Sequence, residues 1–90
     1  MIQNDELLGF FEEQYRQARS SRRDIRPSDR LYDDLSIDSL LANELLIALE
    51  DRYDLRLLHD PRVWKVATVG ELLDAVRAIE GEQRAAEPVA

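Results

Sequence analysis

The sequence predicts an all-α fold: a small four-helix bundle built from three long helices and one short one. Three observations carry that expectation. Apolar residues recur at three-to-four spacing in three separate segments. Two helix starts carry capping residues, Asp38 ahead of Ser39 and Thr68 paired with Glu71. Ninety residues without an internal repeat, 44% hydrophobic and 34% charged, have the balance of one folded domain and not of a disordered chain. Residues 1–81 are expected to form the bundle and residues 82–90 a disordered tail.

The first helix is expected from residue 4 to about residue 20. Leu7, Leu8, Phe11, Tyr15 and Ala18 share one face, and Glu12, Glu13, Arg16 and Arg19 lie on the other. Residues 20–37 lack a sustained period. Pro27 disfavours helix at Arg26, so this stretch reads as a long ordered loop pinned by Leu31 and Leu35. Its basic patch (Arg22, Arg23, Arg26) has acids nearby and reads as solvated surface.

The second helix is expected from Ser39 to about Tyr53. Asp38 suits the N-cap, because its carboxylate can accept from free backbone N–H groups of the first turn. Ser39 then falls at the first helical position, near the positive end of the helix dipole, where anions are commonly held. Ala42, Leu45, Leu46, Leu49 and Tyr53 form the inward stripe. Leu40, Leu41 and Ile47 fall outside it, among Asn43, Glu44, Glu50 and Asp51. Apolar anchors inside an acidic rim are what a docking surface needs, although Leu41 is equally suited to packing beneath the long loop.

Pro61 suits the first turn of a short helix over roughly residues 62–65, capped by Asp60. His59 lies in the preceding connection. The last helix opens with a capping box, Thr68-Val69-Gly70-Glu71, and buries Val69, Leu72, Leu73, Val76 and Ile79. Gly81 reads as its C-terminal stop.

Several classes of function are excluded by composition. Cysteine is absent and His59 is the sole histidine, so no thiolate or multi-histidine metal site can form. No run approaches membrane-spanning length, and the first residues lack signal-peptide character, so a cytoplasmic, non-membrane protein is expected. Of the net charge of −7, residues 31–60 hold most, with eight acids against Arg52 and Arg56. That argues against a nucleic-acid partner and suits docking onto basic protein surfaces.

Asp38-Ser39-Leu40, followed by Glu44-Leu45, Ala48-Leu49-Glu50, Tyr53-Asp54 and the start of the last helix at residues 68–72, resembles the acyl carrier protein family. The resemblance covers about residues 28 to 79. It implies that Ser39 bears a 4′-phosphopantetheine arm, taken from coenzyme A by a phosphopantetheinyl transferase, with Asp38 beside the attachment point. It further implies that the chain is not an enzyme. Acyl groups would be carried as thioesters, by a monomer, to ketosynthase-type or acyl-transferring partners of fatty-acid, polyketide or related secondary-metabolite biosynthesis. Leu40, Asn43, Glu44, Ile47, Glu50 and Asp51 are the expected docking residues. The chain departs from the family pattern at Ser36, where glycine is usual, at Leu41, commonly acidic, and at Arg62, Trp64 and Lys65, where acids are frequent. A peptidyl or aminoacyl carrier and an unmodified helical adaptor remain open alternatives.

Overall fold

The computed structural model describes residues 2–86. Its elements are α1 (Asn4–Arg19), α2 (Ser39–Tyr53), a single 3-10 turn (Pro61–Trp64) and α3 (Val69–Ala86). The small helical bundle is therefore present, but the fourth member is one turn of 3-10 geometry and not an α-helix. Four residues beginning with proline close only an i→i+3 bond, Val63 N–H to the Asp60 carbonyl at 3.2 Å.

Burial follows the apolar stripes. Leu7, Phe11 and Tyr15 of α1, Leu45, Leu46 and Leu49 of α2, and Leu72, Leu73, Val76 and Ile79 of α3 share one core. Ala18, expected on the α1 stripe, is exposed, because the helix ends one residue later and the chain turns away through Ser20 at φ 51°. Leu41 is buried, at 6% exposure, which decides between its two readings: it packs inward, and only Leu40 and Ile47 remain outside.

The long loop is held by hydrogen bonds at both flanks. On the α1 side, Glu12 accepts from Ile25 N–H at 2.8 Å, and the buried Tyr15 hydroxyl donates to the Leu35 carbonyl at 2.9 Å. On the α3 side, the loop runs antiparallel to the segment leading into that helix. Leu31 N–H donates to the Ala67 carbonyl (2.9 Å), Val69 N–H to Asp29 (2.9 Å) and Gly70 N–H to Pro27 (2.8 Å), around an isolated bridge between Arg30 and Thr68. A Cβ at Gly70 would stand 3.1 Å from the Pro27 carbonyl oxygen and 3.3 Å from its Cβ, so glycine is what allows this approach. Ile25 and Ile37 are buried anchors of the loop beside Leu35, whereas Leu31 is half-buried.

The last helix starts where the capping box placed it. Glu71 N–H donates to Thr68 Oγ1 at 3.2 Å, and Glu71 Oε1 accepts from Thr68 N–H at 3.0 Å. It does not stop at Gly81 but continues to Ala86, so residues 82–86, expected as tail, are helical; residues 87–90 lie outside the described residues. Side chains of the extra turn hold it down. Gln83 accepts from Arg56 N–H (3.0 Å) and donates to the Arg56 carbonyl (2.8 Å), and Arg84 donates to the Tyr53 carbonyl (2.8 Å). Arg84 also pairs with Glu80 at 3.2 Å, which allows that carboxylate to be buried at 4% exposure.

Arg62 ties the 3-10 turn to the same stretch, bridging Asp60 at 2.8 Å and Glu82 at 2.7 Å. Its guanidinium and backbone N–H hold the Asp60 carboxyl down at about 2, and its guanidinium lowers Glu82 as well. A carboxyl lowered on folding contributes stability above its ordinary value, here 3.8, and loses it as pH falls through the folded value. Asp60→Asn is therefore expected to lower the thermal midpoint near neutral pH. In a pH series of melts the gap to the parent should narrow as pH falls from about 4 toward 2.

Candidate functional site

Asp38 caps α2 as its sequence position requires. Its backbone is extended (φ −84°, ψ −177°), and its carboxylate accepts from Leu41 N–H at 2.9 Å. The Asp38 carbonyl accepts the first helical bond, from Ala42 N–H at 2.8 Å. Ser39 is the first residue of the helix and is exposed. Ser39 thus stands at the positive end of the helix dipole, where a negative group is favoured.

The approach to this serine is a tight turn. Ser36 adopts φ 55°, a left-handed conformation costing a non-glycine residue roughly 1–2 kcal/mol. Its N–H donates to the Tyr32 carbonyl at 2.9 Å, and its own carbonyl accepts from Arg19. Ile37 N–H then donates to the Leu31 carbonyl at 2.8 Å while its side chain is buried. With Ile37 fixed inward, the extended backbone at Asp38 leaves Ser39 at the surface.

Ser39 opens onto a groove of about 270 Å³. Leu31 and Tyr32 line it from the loop, Val63 and Trp64 from the 3-10 turn, and Val66 from the segment before α3. Trp64 is fixed by its indole N–H, which donates to the Leu58 carbonyl at 2.8 Å, and is 43% exposed; Tyr32 is 71% exposed. Sequence reasoning gave neither aromatic a role at the site. Both lie in segments without periodicity, and only the tertiary crossing of those segments brings them beside Ser39. His59 is exposed in the connection before the 3-10 turn. Among the described residues, no three His, Cys, Asp or Glu side chains converge as metal ligands.

The expected docking residues divide. Leu40 and Ile47 are exposed, at 69% and 45%, with Asn43, Glu44 and Asp51 exposed around them. Glu44 and Asp51 form no ion pair among the described residues. Glu50 is different: half-buried, it accepts from Leu57 N–H at 2.6 Å and Leu58 N–H at 3.1 Å. That carboxylate anchors the 55–58 connection to α2, an assignment helical spacing alone does not reveal.

The arrangement fits a covalently attached anionic group. It offers an exposed hydroxyl at a helix N-terminus and a partly apolar groove beside it. A protein-family model, described as a phosphopantetheine attachment site, matches residues 16–76. No solved structure matches the chain. Among the described residues, no helix is long and apolar enough to cross a membrane.

Asp38→Ala is expected to cost about 1 kcal/mol of stability, the usual value of an N-cap side chain, and Asp38→Asn much less. Chemical denaturation of the two variants checks this.

Proposed function

Because the chain belongs to the phosphopantetheine attachment-site family, whose members carry covalently bound 4′-phosphopantetheine, we propose that Ser39 Oγ is the attachment atom. The observation supporting that choice is its exposure at the first position of α2, at the mouth of the groove. The chain is an acyl carrier, serving fatty-acid, polyketide or related secondary-metabolite biosynthesis in the cytoplasm as a monomer. The arm supplies a thiol on which acyl groups are held as thioesters.

A phosphopantetheinyl transferase provides coenzyme A, a divalent cation and the base that takes the Ser39 proton. The Ser39 oxygen forms a new bond to phosphorus as the bond to the nucleotide half of coenzyme A breaks. The chain's own residues act by placement. Asp38 fixes the start of α2 through Leu41 N–H, and the turn at Ser36, held by Arg19, presents the hydroxyl to solvent. No side-chain base is hydrogen-bonded to Ser39 among the described residues, so activation of its oxygen belongs to the transferase.

Partners with basic surfaces dock on α2. Leu40 and Ile47 supply the apolar contacts, and Asn43, Glu44 and Asp51 the polar rim, with Glu50 supporting the adjoining connection. Rim charges of this kind act mainly on association rate and salt dependence.

Incubation with coenzyme A, magnesium and a broad-specificity transferase is expected to add one phosphopantetheinyl mass to the chain. Ser39→Ala should abolish the addition without loss of helicity. Intact-protein mass spectrometry and circular dichroism read the two outcomes, and an unmodified parent chain would instead favour a helical adaptor. Once a partner enzyme is in hand, Glu44→Lys and Asp51→Lys should each reduce turnover several-fold at low salt and less at high salt. Unchanged kinetics in both would remove the docking role of that face.

A further inference from the structure

The packing of the bundle and the surface beside Ser39 differ in what they can accommodate. Inside, the space bounded by Phe11, Leu46, Val63 and Leu72 is about 30 Å³, the volume share of roughly one water molecule. Those side chains belong to a close-packed core, and admitting an alkyl chain would require several of them to move. Outside, the groove at Ser39 already has about 270 Å³. Of its three charged lining residues, Arg30 and Asp33 pair with each other at 3.4 Å, and the third, Asp38, uses its carboxylate to cap Leu41 N–H, so the groove offers no cation to an anionic occupant. Two exposed aromatic side chains remain, and one of them, Trp64, is locked in orientation by its bond to Leu58.

From this we infer that the cargo is an aryl acyl group, held outside the bundle in the groove with its ring against Trp64 and Tyr32. The assignment rests on Ser39 being the attachment point and deepens that reading. Tethering at the mouth of the groove keeps the cargo at an effective concentration on the order of millimolar, so a weak contact suffices. An aromatic pair supplies one. Its preference beyond simple burial corresponds to about 2:1 to 10:1 in favour of the stacked arrangement. A straight alkyl chain has no planar face to gain that preference.

Trp64 is the sole tryptophan, so its fluorescence reports on the groove alone. The chain is loaded by a transferase from benzoyl-coenzyme A or octanoyl-coenzyme A, with intact mass confirming each product, and Trp64 is then quenched with acrylamide. Benzoyl loading is expected to reduce the quenching constant at least ~2-fold relative to the chain bearing the free thiol, and octanoyl loading to leave it nearly unchanged. In Tyr32→Ala, whose exposed site tolerates truncation, the benzoyl protection should weaken. Protection by octanoyl equal to that by benzoyl, no protection by either, or full protection retained in Tyr32→Ala would overturn the cargo assignment. A chain that gains no mass at all overturns the attachment reading too, and the mass measurement separates that failure from the others.

Discussion

The antiparallel crossing of the long loop over the segment that enters α3 is the constraint on which the site depends. Three backbone bonds, Leu31 to Ala67, Val69 to Asp29 and Gly70 to Pro27, join the loop to Ala67, just ahead of α3, and to the first two residues of that helix. They set the loop at a fixed height above the bundle, and Gly70 lets the chains approach where a Cβ would meet Pro27. The consequences propagate along the chain. Leu31 accepts from Ile37 N–H, Ile37 is drawn into the core, and Asp38 is left in extended geometry at the start of α2. The same crossing sets Tyr32 beside Val66 and Trp64, forming the groove that Ser39 borders.

What was legible in the sequence was local. The N-cap at Asp38, Ser39 as the first residue of α2 and the reciprocal Thr68–Glu71 box all depend on residues within four positions of one another, and all appear as expected. Buried stripes were legible because helical spacing leaves few alternatives for Leu45, Leu46, Leu49 or Leu72, Val76, Ile79. Contacts between segments were not. Glu50 looked like an exposed rim acid until the 55–58 connection was seen to donate two N–H groups to it. Gly81 looked like a stop until Gln83 and Arg84 were seen to grip Arg56 and Tyr53. Nothing in the neighbours of Trp64 announces that the loop passes opposite it.

The departures from the family pattern acquire physical content in this setting. Ser36 takes the left-handed conformation that glycine adopts without penalty. The strain sits two residues before the cap and is offset by the Arg19 and Tyr32 bonds that close the turn. Leu41 has no reason to be acidic, since it is a core residue. Arg62 is a clamp that joins the 3-10 turn to α3 through Asp60 and Glu82. The result is an asymmetric surface around Ser39: an acidic, apolar-centred face along α2 on one side, and an aromatic groove on the other. The first is suited to a passing basic partner and the second to something tethered in place.

The central claim is that one exposed hydroxyl at the start of α2 bears the arm. The measurement that reaches it most directly is fragmentation of the tryptic peptide spanning residues 31–52, which contains both Ser36 and Ser39, from protein isolated out of its own cells. The phosphopantetheinyl mass is predicted on Ser39, with Ser36 unmodified. A peptide without that mass, or with it on Ser36, would contradict the account.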